Sequence, residues 1–321
     1  MTKQLSQTLK GGMLCVSIAL MASCHECELP SSKGDDLTMS VVASISTLNE
    51  AAQSRYSGSD PNSMNFVVDD SIGIFVDDDE VPVKWTYTSS GWAADGVVFW
   101  PDKTESHVFQ AFYPYIAGAT MDNVPMPDLK EQDGTMAGLS ECDFLKAVTT
   151  QSYGTTGTVA FKGEGKSFVH VSSLLKLTLK GDEDLQSSTI DKISVSGENI
   201  VAPSSYSFEN DEVTLSPDES SSLLDVGLAH EMKGADVSFY FILNAKSDAS
   251  SLVTLTIEYT TNGKQYVASL DNFAGNVFAG GMQQSYSISV KDSYLIVSGS
   301  EISEWGKGET LSGIIINGQE K

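Results

Sequence analysis

The side chains that could do chemistry in this chain are few. It has four histidines, His25, His107, His170 and His230, and no two of them stand at metal-ligand spacing. His170 lies in the apolar run Phe168-Val169-His170-Val171, where a histidine paired inside a core is the expected outcome. No G-x-S-x-G, H-E-x-x-H or phosphate-cradling glycine loop occurs. The acidic runs Asp77-Asp78-Asp79-Glu80, Asp182-Glu183-Asp184 and Asp218-Glu219 could hold calcium through their carboxylates, but they read as solvated turns between strands. The sequence therefore offers no catalytic residue, metal site or cofactor, and the expectation is a protein that is not an enzyme. Trp85, Trp92 and Trp100 could instead form a sugar-stacking platform, which makes a glycan-binding surface protein the alternative reading. Each sits in a strand-like segment, where burial of so large a side chain is the usual fate.

Charge narrows the field further. Nineteen Lys plus Arg against 43 Asp plus Glu leave a formal charge of -24. No basic patch can dominate such a field, so nucleic acid is not an expected partner, and anionic lipid headgroups would be repelled. Membrane attachment would have to be covalent or hydrophobic. The run Met13 to Met21 after Lys3 and Lys10 is about half the ~20 residues a helix needs to cross a bilayer, and reads as a signal-peptide core. It ends in Met21-Ala22-Ser23-Cys24, which resembles a bacterial lipobox, so residues 1–23 are expected to be a lipoprotein signal peptide and Cys24 the lipidated residue. Of the other cysteines Cys15 leaves with the signal, and nothing in the sequence says whether Cys27 and Cys142 pair.

The elements that would carry any site are strands. Period-two or β-branched runs recur, as in Ser71–Val76, Val108–Tyr113, Leu175–Leu179 and Val253–Tyr259, separated by turn pairs such as Ser90-Gly91, Asp95-Gly96 and Asn262-Gly263. Helical periodicity of any length is absent. An all-β fold follows, and the length of 321 residues predicts two tandem β-sandwiches, 56–160 and 161–321, with the boundary in the Gly- and Thr-rich stretch 155–165. Residues 120–140, with Pro125, Pro127, Gly134 and Gly138, read as a long surface loop.

Arg55 is the sole arginine. Before it, Leu37, Met39, Val41, Ala43 and Ile45 fall on one face of an alternating strand that needs a partner. Around it, residues 54–63 are polar and contain Gly58 and Pro61, an expected exposed connection where a protease could cut. Residues 24–55 thus read as a tether plus a severable strand. Near the other end Leu311, Ile314, Ile315 and Ile316 form an apolar strand that is either the last strand of the second sandwich or a strand for donation to a neighbour.

Arg55 followed by Phe66, Asp70–Phe75, Val98-Phe99-Trp100-Pro101 and Gln110–Tyr115, then Phe168–Leu177 and the closing Ile302-Ser303-Glu304-Trp305, resembles the fimbrillin family of Bacteroidota, the subunits of type V pili, over about residues 66–305. Glu26 and Glu28 after Cys24 likewise resemble acidic surface-export signals of lipoproteins in that phylum. The resemblance implies transthyretin-like sandwiches, lipoprotein export through the periplasm to the outer membrane, trimming by an Arg-specific protease, and assembly with other fimbrial subunits into an adhesive surface fimbrium. Physical chemistry makes this coherent. Five inward side chains at ~1.5 to 3 kcal/mol each give on the order of 8 to 15 kcal/mol before entropy, so a tethered plug strand would stay put. Scission after Arg55 would let a strand from another subunit compete for the same backbone edge.

Overall fold

The computed structural model describes residues 37–46, 64–180, 188–232, 235–245, 253–271, 279–291, 294–305, 310–311, 314–317 and 319–320. The signal segment, Cys24, Cys27 and Arg55 lie outside these residues.

Alternation in the sequence becomes strand after strand. The first region carries β1 (Ser40–Ala43), β2 (Ser71–Val76), β3 (Val83–Thr88), β4 (Gly91–Ala94), β5 (Ser106–Tyr113), β6 (Val124–Pro125), the short helix α1 (Leu139–Cys142), β7 (Leu145–Ser152), β8 (Thr158–Phe161) and β9 (Val169–His170). Six of them form one sheet in the order β4-β3-β2-β5-β7-β9. Against it stands a small layer made of β1, β8 and the segment 98–100. Ile72, Ile74, Trp85 and Phe109 from the large sheet meet Met39, Val41, Val159 and Phe161 from the small one in a single core.

The second region holds β10 (Ser173–Lys180), β11 (Ser188–Ser196), β12 (Ser204–Ser207), β13 (Glu212–Leu215), β14 (Leu223–Met232), β15 (Val237–Leu243), β16 (Thr254–Thr261), β17 (Lys264–Asp271), β18 (Met282–Lys291), β19 (Tyr294–Glu304), β20 (Thr310–Leu311), β21 (Ile314–Asn317) and β22 (Gln319–Glu320). One sheet runs β15-β10-β18-β19-β20, with β21 also on β19, and the other runs β14-β11-β16-β17-β22. Leu177, Phe241 and Ile288 of the first face Ile193, Leu224 and Ile257 of the second across a common core. Strict alternation in β16, with Leu255, Ile257 and Tyr259 inward, is what a sheet with one buried face requires. The hairpin β16–β17 turns at Asn262 and Gly263, both at positive φ (50° and 75°), as a two-residue turn matched to strand twist demands.

One expectation is corrected and another is refined. The handover between regions does not fall at 160/161, because Phe161 and Phe168 are fully buried in the first core and β9 pairs with β7. The run Phe168–Leu177 is split, its first half closing the first sheet and its second half, β10, opening the next. Residues 120–140 are largely irregular and exposed or half-buried, as expected of a surface loop, but the loop is pinned at several points. Val124 pairs with Tyr206 through β6 and β12, while Leu129, Leu139 and Cys142 are buried in the second core. Pro and Gly marked where this segment turns, but its spaced apolar residues decided where it goes. A third cluster, including Phe75, Phe112, Phe144, Tyr206 and Phe208, seals the junction.

Candidate functional site: the leading-strand slot

The leading strand lies inside the small layer, hydrogen-bonded on both sides. Along one flank the Met39 N–H donates to the Val98 carbonyl (2.8 Å) and the Trp100 N–H to the Leu37 carbonyl (2.8 Å), with Thr38 opposite Phe99 in antiparallel sense. Along the other, β1 pairs in parallel with β8, from Ser40 opposite Thr158 to Ala43 opposite Phe161. The pairing continues beyond β8: the Ser44 N–H donates to the Phe161 carbonyl (2.9 Å), the Phe168 N–H to the Ser44 carbonyl (2.9 Å) and the Ser46 N–H to the Phe168 carbonyl (2.7 Å). The start of the strand, residues 37–40, is thus flanked on both sides, while residues 40–46 are held along one edge by β8 and Phe168.

Side chains follow the period of two. Met39, Val41 and Ile45 are buried, while Leu37 and Ala43 are half-buried against the same core. On the outer face Ser40 Oγ meets Thr158 Oγ1 at 2.8 Å and Ser44 Oγ meets Ser167 Oγ at 3.0 Å, whereas Val42 is exposed. Gly157, at φ 62°, allows the closest approach. A Cβ there would lie 2.8 Å from the Thr38 carbonyl oxygen.

Trp100 forms part of the slot wall. It is 1% exposed, and its indole N–H donates to the Gly157 carbonyl (2.7 Å), the same oxygen that accepts the Ser40 N–H. Trp85 is also buried, and Trp92 packs edge-on against Phe66 with ring centroids 5.0 Å apart. The three indoles therefore form no sugar platform, and the glycan-binding alternative loses its basis. Large flat side chains on strands facing a thin layer are what fills the core.

Two of the described histidines, His107 and His170, are held by carboxylates. His107 Nδ1 sits 2.6 Å from Asp77 Oδ2, its other ring nitrogen is 3.5 Å from Asp102, and its ring packs on Trp100. Burial pulls the His107 pKa down, but the hydrogen bond and charge of Asp77 with the charge of Asp102 outweigh it and hold it above the ordinary histidine value. Asp77, at φ 50°, also accepts the Val108 N–H, so the turn after β2 is tied to β5. His170 is a paired core histidine as expected, with Nδ1 3.0 Å from the fully buried Asp143, and its ring stacks on Trp305 at 3.6 Å. Among the described residues no group of His, Cys, Asp and Glu could hold a metal ion, and Cys142 is a buried free thiol. Trp100, Gly157 and His107 as parts of one site were missed in the sequence. Only their places in separate strand-like runs were visible there.

The C-terminal candidate is paired within its own chain. Ile314, Ile315 and Ile316 stand opposite Val297, Ile296 and Leu295 of β19, and Leu311 opposite Ser300.

A family model of fimbrillin-like proteins matches residues 60–305, more than half of the chain, and the chain belongs to that family. It is accordingly a fimbrillin-like structural protein and not an enzyme. Solved structures share the fold. A candidate cell adhesion protein from Bacteroides uniformis aligns at a TM-score of 0.57 with 17% identity over 84% of this chain and 98% of that one. Another from Bacteroides ovatus aligns at 0.53 with 15% identity over 87% and 97%. No curated protein matches the chain.

Proposed function

We propose that this chain is a subunit of a cell-surface fimbrium, exported as an outer-membrane lipoprotein through Cys24, trimmed near Arg55 by an Arg-specific protease and assembled with other subunits by β-strand exchange. The observation that carries this reading is the position of residues 37–46, paired with β8 and Phe168 along their length and with residues 98–100 at their start, yet contributed by a segment that a single cut at Arg55 would detach from the body. Leu37, Met39, Val41, Ala43 and Ile45 act as the plug. The strand that replaces it comes from another subunit, and Leu311 with Ile314, Ile315 and Ile316 is the candidate donor, able to leave β19 only when a neighbour's slot offers equivalent pairing.

Incubating the purified precursor with an Arg-specific protease tests this. The expected result is one cut after Arg55, retention of the plug in dilute buffer, and conversion of the cut form into a ladder of multimers once the plug is loosened with mild denaturant. A precursor that resists cleavage at Arg55, or a cut form that never takes up a strand from a second copy, overturns the reading.

A further inference from the structure

Removing β1 would leave β8 in an unusual state. Among the described residues β8 pairs with no strand other than β1. Its carbonyls at Gly157 and Phe161 face the plug, accepting the N–H groups of Ser40 and Ser44. Ala160, between them, turns its peptide groups the other way, and there a side chain takes the place of a strand. Gln151 Oε1 accepts the Ala160 N–H (3.1 Å) and Gln151 Nε2 donates to the Ala160 carbonyl (3.1 Å), while the same Nε2 lies 3.0 Å from Thr149 Oγ1. Thr149 is itself buried, so the amide is braced from β7. The chain uses the device again at the edge of β15, where Gln132 accepts the Ile242 N–H (2.6 Å) and donates to its carbonyl (2.8 Å). At β15 the main chain assists, since the Tyr240 N–H donates to the Gly134 carbonyl. At Ala160 the two bonds from Gln151 tie the strand to β7 of the large sheet, beside the packing of Val159 and Phe161.

We propose that Gln151 is a positioning residue for strand uptake: it keeps β8 extended and one strand-width from residues 98–100 when the plug is gone, so that a strand from a second copy meets a preformed slot. This rests on the strand-exchange reading above. With Val159 and Phe161 buried and the Trp100 indole holding Gly157, the amide of Gln151 fixes the middle of β8. A slot held in this way spares the incoming strand the cost of ordering β8 as it binds. Losing both bonds removes that preorganisation, and two hydrogen bonds of ordinary net strength correspond to roughly 10- to 100-fold in affinity.

The test uses full-length protein cut after Arg55, stripped of its plug in mild denaturant and returned to buffer. A fluorescent synthetic peptide of residues 37–46 is then titrated in, with anisotropy giving affinity and association rate. Wild type is expected to rebind the peptide. Gln151→Ala is expected to bind roughly 10-fold or more weakly, chiefly through slower association, while the uncut variant keeps its plug and unfolds within a few degrees of wild type. Gln151→Glu, which preserves length and the acceptor for Ala160 N–H but sets a carboxylate against the Ala160 carbonyl, is expected to show the same defect if the alanine variant does not fold. Equal binding by wild type and either folded variant overturns the role of Gln151 alone. A stripped wild-type chain that refuses the peptide overturns strand exchange and this proposal together.

Discussion

Gly157 shows how much one residue decides at the slot. Its φ of 62° and the 2.8 Å gap between a Cβ and the Thr38 carbonyl mean that Gly157→Ala must both strain the backbone and push the leading strand away. Gly163, at φ 93° with nothing within 4 Å of a Cβ, carries the strain without the collision. Gly157→Ala is therefore expected to cost about 2 to 4 kcal/mol and to speed amide exchange at Ser40, whereas Gly163→Ala costs about 1 kcal/mol and leaves Ser40 protected. Equal exchange at Ser40 in the two variants would refute the close-approach argument. Asp70 makes a different residue-scale prediction. Burial raises its pKa to about 6, with the Val67 N–H bond pulling the other way. The folded state thus binds the proton more tightly than the unfolded chain. The stability this lends is present in acid and is lost as pH rises from about 4 through about 6. Asp70→Asn should unfold alongside wild type at pH 4 and be more stable by on the order of 2 kcal/mol at pH 7.5 in urea titrations. Offsets that match at both pH values would count against it. None of this was legible in the sequence. A turn glycine and an aspartate before a strand look alike wherever they fall, and what distinguishes these two is the carbonyl or the apolar wall that the fold brings against them.

The leading strand was the most readable element. Alternation over residues 37–45 predicts the inward set, and Met39, Val41 and Ile45 are buried with Leu37 and Ala43 packed beside them. What alternation could not supply is the partner, because a period of two specifies a face and leaves both edges anonymous. The antiparallel contact with 98–100 and the parallel pairing with β8 come from chain segments about 60 and 118 positions away. Val41→Asp is expected to destabilise the first core by about 3 kcal/mol or more and to expel the plug after cleavage at Arg55, while Val42→Asp, one residue on and exposed, stays within about 0.5 kcal/mol of wild type. Denaturant titration together with mass measurement of the retained plug separates the two. The segment 120–140 is the opposite case. Its turn residues dominated the reading, yet Leu129 and Leu139 are each 2% exposed in the second core, and Gln132 caps the edge of β15. Isolated apolar residues without a period give no sign of the surface they will cover.

Taken whole, the described chain is three cores in series: the first sandwich, the aromatic junction and the second sandwich. The junction draws Phe75, Phe112 and Phe144 from the first region and Tyr206 and Phe208 from the second. Lys146 and Asp211 add an ion pair there that also engages the Tyr206 hydroxyl, so the regions share polar as well as apolar contacts. A junction of that kind predicts coupled unfolding. Phe208→Ala is expected to cost about 3 kcal/mol and to split one calorimetric transition into two. Two transitions in wild type would show the regions independent.

Composition, charge and alternation by themselves determined that the chain is of the all-β class, acidic, and carries an amphipathic ribbon at residues 37–45, because those properties depend on residue type and spacing along the chain alone. Tertiary structure decided which strand fills which gap, where one sandwich hands over to the next, and that Trp100, Gly157 and Gln151 stand around a single slot. Those facts depend on which distant backbones come within hydrogen-bonding distance, and pairing between segments far apart in the chain leaves no local mark on either of them.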